Sequence, residues 1–294
     1  MTNAPASQMT GPDSHSSASP HFQMLSDIAK ELSSEEVVFS THFDAILKLR
    51  TILRDPNISM VAIASALSTE PLICTKLLRI ANSAAFNTSG QEIVDLKTAV
   101  TRLGINTVRN TALSIAMAQL LRAKGMSNFS TLTAMIWEHS LASAAGARIL
   151  AKTLTQLNPD EAMLAGLVHD LGVFYMLYRA TQYEELRNSP EALTQVIMQW
   201  HESIGVTLLT ALGLPEEIVS ATADHDQIRA VPNPIRSLSD IVYVANMLAG
   251  GYFELHMQSA EDQHPDLIAL ESIYGYLRPQ IDEFAAEMHQ IFSG

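Results

Sequence analysis

EAMLAGLVHDLGVFYML, residues 161–177, decides the fold. It is an apolar run of helical length, opened by Asn158-Pro159 and interrupted by one polar doublet, His169-Asp170. Alternation of the strand type is absent from it, and the same holds almost everywhere on either side. Downstream, helices are expected over about 190–202, 203–212, 215–225, 235–249, 264–275 and 278–291, punctuated by Ser189-Pro190, Gly213 before Pro215, and Asn233-Pro234. Upstream lies a helix over about 131–154, and the doublet's own helix is read as 159–178.

The first half is read the same way. In THFDAILKLRTILRD, residues 41–55, the apolar Phe43, Ile46, Leu47, Leu49, Ile52 and Leu53 recur at three- and four-residue spacing, and Asp55-Pro56 ends the pattern. Ser59 caps the next helix, and Pro71 opens a third in its first turn. Further helices follow at DLKTAVTRLG, ended by Gly104, and at NTVRNTALSIAMAQLLRA. KGMSNFS, residues 124–130, divides the chain. The expected class is all-α, a two-part helical bundle.

Composition narrows the function. The 294 residues are 47% hydrophobic and 17% charged, with a net charge of −13, so a phosphate backbone is repelled unless the few cations share one face. Cys74 is the single cysteine, which rules out an intrachain disulfide or a cysteine-based zinc site and suits a reducing cytoplasm. The Ser- and Pro-rich residues 1–20 lack the features of a secretory signal and read as a flexible tail; no run of about 18 apolar residues suggests a membrane span.

Four of the ten histidines stand out by context: His139 in MIWEHSLASAAGARIL, His169 beside Asp170, His201 after Trp200 in VIMQWHESIG, and His225 between Asp224 and Asp226. Imidazole nitrogens and a carboxylate suit Zn, Fe, Mn or Ni, and an ion open to water activates it for hydrolysis. Neighbouring helix residues point about 100° apart, so His169 and Asp170 meet on one ion only if other helices complete the set. A metal-free imidazole–carboxylate pair satisfies the same groups.

Together these stretches resemble the HDOD domain, a divergent branch of the HD metal-dependent phosphohydrolase superfamily found in bacterial signalling proteins and related to HD-GYP domains. The resemblance is carried by LRDPNISMVAIASALSTEPLICTKLLRIANSAAF (53–86), TAVTRLGINTVRNTALS (98–114), WEHSLASAAGARILA (137–151), AGLVHDLGVF (165–174) and HESIGVTLLTALGLPEEIVSATADHD (201–226). It implies an N-terminal helical subdomain over 22–128 after a tail of 1–21. An HD-like helical subdomain over 129–250 follows, with a helical extension over 251–294 packing on it. It also implies metal ligands at His139, His169 and Asp170, with His201 and His225 added in dimetal relatives, and a divalent Fe, Mn, Ni or Zn as the one cofactor. The superfamily's closing Asp falls on Asn246, a neutral and weaker ligand. Asp240 lies six residues earlier and faces elsewhere. Val173 stands where active relatives often carry Lys, and no GYP motif follows His225 in DHDQIRAVPNP.

The resemblance therefore implies a signal-transduction regulatory or scaffold module that acts by protein–protein interaction, with another signalling protein as partner and a homodimer allowed. The alternative is a metal-dependent phosphohydrolase on a nucleotide or other phosphate ester, with Arg148, Lys152 and Arg179 the nearest candidate phosphate-binding cations. Nucleic acid is not an expected partner: SMVAIASALSTEPLICTKLLRIANS, residues 59–83, has a helix-turn-helix look, but its second helix offers only Lys76 and Arg79 beside an apolar stripe. No membrane partner is expected. Met60, Met117, Met135, Met163, Met176, Trp137 and Trp200 are read as core residues, and Asn82 as a satisfier of backbone at a helix end.

Overall fold

The computed structural model describes residues 19–34, 58–67, 71–84, 86–87, 90–121, 125–227, 229–251 and 265–293. The expected helix over 41–55 and most of the N-terminal tail lie outside them. The fold is all-α, with no strand among the described residues. In chain order the helices are α1 (Pro20–Ser33), α2 (Met60–Leu67), α3 (Pro71–Ala81), α4 (Leu96–Leu121), α5 (Ser130–Leu154), α6 (Pro159–Val168) and α7 (Leu171–Ala180). They continue as α8 (Glu184–Arg187), α9 (Pro190–Ala211), α10 (Glu216–Ala221), α11 (Leu238–Leu248), α12 (Pro265–Tyr274) and α13 (Arg278–Ser293).

Local chemistry sets the boundaries. Ser59 Oγ accepts the Ala62 N–H at 3.2 Å to start α2. Asn158 Oδ1 accepts from the Asp160 N–H at 2.9 Å, with Pro159 in the first turn of α6. Ser237 and Asp240 form a reciprocal capping box that opens α11, so Asp240 has a structural role. Asn82 closes α3, donating to the carbonyls of Leu78 and Ile93 while accepting the Ile93 N–H at 2.8 Å. Gly104 breaks α4 with φ 75° and ψ 166°, a conformation that a residue bearing Cβ rarely adopts, and the helix resumes immediately.

α5 is the axis of the molecule, packed by α6, α11 and α13, while α7 lies against α9. Ala144, Ala145, Ala147 and Ala151 of α5 are all buried, and small side chains there admit close neighbours. One apolar cluster runs from Met24 to Phe292 through both halves. Met117, Met163 and Met176 belong to it as expected; Met135 and Trp200 do not, being 45% and 41% exposed. Both lie on outward faces of helices whose opposite faces already fill the core.

Two terminal helices cross the division of the chain. α1 packs on α7, α8 and α9, in the second half. Glu31 holds it there, accepting the Tyr175 hydroxyl at 2.9 Å and pairing with the buried Arg179, while the Tyr183 hydroxyl donates to Asp27 at 2.6 Å. α13 packs on α5 and also on α3 and α4; Lys76 and Arg79 donate to the Ile291 and Gln290 carbonyls near its C-terminus. The two cations of the helix-turn-helix-like segment are thus bonded within the molecule.

Glu31→Ala is expected to cost about 3 kcal/mol, because it leaves the Arg179 guanidinium buried without its carboxylate. Equilibrium unfolding in urea checks the loss, and proteolysis should nick the variant first near α1.

Candidate metal centre

The doublet that opened the reading does not lie within one helix. α6 stops at Val168, and Asp170, with φ −95° and ψ 15°, is the residue from which α7 starts. This corrects the expected single helix over 159–178 and removes the obstacle of two ligands pointing about 100° apart. The helix expected over 215–225 likewise stops at Ala221, and His225 follows in a turn where Asp224 takes φ 56°. The two segments expected over 190–202 and 203–212 are one continuous helix, α9, which carries His201. His139 sits mid-way along α5.

The structure brings all five sequence-derived residues together, each no more than 5% exposed. His139 Nε2 and His169 Nε2 stand 3.1 Å apart. Asp170 lies between two histidine pairs. Its Oδ2 is 3.3 Å from His169 Nε2 and 3.7 Å from His139 Nε2. Its Oδ1 is 3.2 Å from His225 Nε2 and 3.9 Å from His201 Nε2. Two groups of three candidate ligands result, His139–His169–Asp170 and Asp170–His201–His225, sharing the carboxylate.

The hydrogen bonds fix which nitrogens face inward. The Nδ1 atoms of His169, His201 and His225 lie 2.7, 2.9 and 2.8 Å from the carbonyls of Gly166, Ile197 and Thr222, and that of His139 lies 3.4 Å from the Ala249 carbonyl. A carbonyl only accepts, so each Nδ1 carries the hydrogen and each Nε2 presents its lone pair to the cluster. Four converging lone pairs around one carboxylate require a cation, either a proton or a metal ion. Asp170 Oδ2 and Asn246 Oδ1 are buried and accept no hydrogen bond. This donor set, with each imidazole oriented by a backbone carbonyl, fits a divalent transition metal.

Asn246, fully buried on α11, donates through Nδ2 to the His225 carbonyl at 3.1 Å and to Asp226 Oδ1 at 2.8 Å. Asp226 is the residue the sequence reading passed over. Its Oδ2 stands 3.2 Å from His201 Nε2. The DHD string was visible, but the turn that aims Asp226 inward was not.

Charge responds to this burial. Burial opposes ionisation of Asp170, yet the facing His169 and His225 outweigh it and hold the carboxyl well below the usual range. Burial, then the neighbouring His169, push His139 down to about 4. Burial also works against a charged His225, but Asp226 and Asp170 overcome it and raise the ring to about 10; His201 is raised for similar reasons. Without metal, His225 therefore holds the proton and His139 stays neutral.

The metal-free protein is expected to be most stable near pH 6.5, the unfolded value for His. Below it His139 takes up a proton in the unfolded chain before the folded one, so stability falls as pH drops toward 4. Above it the stabilisation of protonated His225 is lost as pH rises toward 10. Bound metal replaces that proton, so the alkaline fall should shrink in the loaded protein. Melting temperature against pH, with and without chelator, measures both arms.

A groove lined by Ala134, Met135, Glu138, Ala142, Ala249 and Gly250 meets His139, and among the described residues it holds no Lys or Arg. None of the three expected phosphate-binding cations lines that groove. Arg148 pairs with Asp160 and lies over the rings of Phe86 and Phe284, 4.9 and 5.6 Å from their centres. Arg179 pairs with Glu31. Lys152 is exposed near the far end of α5, more than three turns from His139.

A helical bundle that gathers four histidines around the carboxylate of an adjoining His-Asp doublet is the arrangement that the resemblance to the HDOD domain leads one to expect. Residues 40–228 match the HDOD domain, and the chain belongs to that family. An uncharacterized protein of Treponema pallidum (strain Nichols) is 26% identical over 212 residues, 69% of this chain; the chain spans 40% of that relative's length. Among solved structures, a candidate metal-dependent phosphohydrolase from Shewanella amazonensis SB2B superposes with a TM-score of 0.69 at 19% identity, covering 94% of this chain and 100% of the other. An HDOD domain protein of unknown function from Geobacter sulfurreducens gives 0.61 at 23%, over 90% and 97%. A candidate signal transduction protein from Marinobacter aquaeolei VT8 gives 0.56 at 17%, over 93% and 66%. At these identities the likeness establishes the fold. No helix among the described residues is long and apolar enough to cross a membrane.

Proposed function

We propose that this chain is a bacterial signal-transduction module that acts by contact with another signalling protein, and that its metal centre braces the fold without turning over a substrate. The burial of the centre carries this reading: all five ligand candidates are enclosed, and none of the described residues lining the groove that meets His139 offers a phosphate group a cation. A phosphoryl group needs positive charge fixed around it. The name of the Marinobacter protein agrees with a signalling role.

His139, His169, Asp170, His201 and His225 would hold the metal. A divalent ion there supplies Lewis acidity, polarising a phosphoryl oxygen and lowering the pKa of water. The chain's own contribution is orientation: α5, α9 and the turns before α7 and after α10 fix the rings, and Asp170 ties the two histidine pairs. That bridging carboxylate favours the second reading, a metal-dependent phosphohydrolase on a nucleotide or other phosphate ester.

Phosphate release from metal-loaded protein separates the two. With p-nitrophenyl phosphate, nucleoside phosphates and cyclic dinucleotides, no release above a metal-only control is expected. Turnover that disappears in His169→Ala would overturn the regulatory reading and establish the hydrolase.

A further inference from the structure

We infer that Asp226 is a ligand of the metal centre, and that it makes the His201–His225 half the tighter of two unequal ion sites. The inference rests on the metal reading above and concerns how its two halves differ.

The geometry around Asp226 is that of a ligand set. Oδ2 lies 3.2 Å from His201 Nε2, and Oδ1 lies 3.8 Å from His225 Nε2. Asp170 Oδ1 completes the group at 3.2 Å from His225 Nε2 and 3.9 Å from His201 Nε2. Donors bonded at about 2.1 Å around a tetrahedral ion stand roughly 3.4 Å apart, so the 3.2 Å between Asp226 Oδ2 and His201 Nε2, and between Asp170 Oδ1 and His225 Nε2, suits neighbouring ligands of one ion. The Asp226 side chain is 9% exposed, and Oδ2 accepts no hydrogen bond. A carboxylate oxygen in that position needs a cation.

Two contacts aim it. Asn246 Nδ2 donates to Oδ1 at 2.8 Å, which leaves Oδ2 to face the histidines. Glu202 Oε1 accepts the Asp226 backbone N–H at 3.0 Å and anchors the turn. Asn246 and Glu202 are therefore positioning residues for Asp226, and each also touches the neighbouring His225, Asn246 at its carbonyl and Glu202 3.6 Å from its Nδ1.

Charge makes the halves unequal. Among the described residues the His139–His169 half has a share of Asp170 alone, whereas the His201–His225 half has Asp170 and Asp226, two carboxylates against one. A divalent cation gains more from the second set.

Titration of chelator-treated full chain with Mn(II) or Zn(II), followed by calorimetry and elemental analysis, tests this. Wild type should show a tight and a weaker step. Asp226→Asn should lose or weaken the tight step at least tenfold and keep the weaker one; His139→Ala should do the reverse. Asn246→Ala, which keeps the carboxylate but frees its aim, should weaken the tight step by a smaller factor. Circular dichroism of each metal-free variant confirms folding, and Asp226→Glu, which retains the charge, should recover part of the affinity if Asp226→Asn folds poorly. If wild type takes one ion, its loss in Asp226→Asn and survival in His139→Ala support the assignment. An unchanged tight step in Asp226→Asn overturns it while the metal reading stands. No uptake by wild type overturns both.

Discussion

Asp170→Ala is expected to empty both halves of the metal centre at once, leaving less than a tenth of the wild-type metal content. Each carboxylate oxygen faces a different histidine pair, Oδ2 toward His139 and His169 and Oδ1 toward His201 and His225. No other carboxylate approaches the first pair among the described contacts, so removing Asp170 leaves that half with two imidazoles and no carboxylate. The loss also reaches the metal-free fold. His225, raised to about 10 by its acidic neighbours, keeps a buried positive charge after one of its two carboxylates has gone. Removing one partner of a buried pair costs about 3–5 kcal/mol, equivalent to a melting temperature lower by roughly 10 °C in a chain of this size. Asp170→Asn keeps the shape and removes only the charge, so it should lose the metal with a smaller thermal penalty. Elemental analysis and calorimetric melting measure the two effects separately.

The second large effect is purely steric. α7 and α9 cross at Gly172, where an added Cβ would stand 2.0 Å from the His201 carbonyl oxygen and 2.8 Å from the Gly205 nitrogen. Both are backbone atoms, and no side-chain rotation relieves the clash. Gly172→Ala should therefore push the helices apart at a cost of about 3 kcal/mol or more, and should draw His201 away from Asp170. Gly205 faces Gly172 across the same crossing, yet a Cβ there meets its nearest neighbour at an ordinary 3.4 Å. Gly205→Ala should stay within about 1 kcal/mol of wild type, because the gain in helix propensity offsets the slight crowding. A pair of melting curves and metal titrations tests the contrast; equal losses in both variants would refute the close-approach account.

Much of the fold was legible because its signals are local. Apolar spacing placed the helices, while Ser59, Asn158-Pro159 and Gly104 marked three breaks that the structure keeps. The histidines at 139, 169, 201 and 225 stood out by context, and it was the resemblance to the HDOD domain that assigned them, with Asp170, as metal ligands. Their convergence depended on details the pattern hides. An apolar run continues unchanged through the doublet, so periodicity extends α6 across a turn that the backbone actually makes at His169 and Asp170. Asp226 was missed for the same reason: on a helix it would point away from His225, whereas after the end of α10 it faces the same cluster. Long-range partners were out of reach altogether. Nothing in the sequence pairs Arg179 with Glu31 or Arg148 with Asp160, and those pairings remove two proposed phosphate-binding cations from the site.

The central claim is that four inward-facing imidazole nitrogens and the Asp170 carboxylate hold a divalent metal. Elemental analysis of the full chain, purified without added metal and then titrated after chelation, tests it most directly. The account predicts at least one Fe, Mn, Ni or Zn ion per chain, restored after chelation and absent from Asp170→Ala, which lacks the carboxylate shared by both histidine pairs. A well-folded wild-type protein that carries none and takes up none of the four would contradict it.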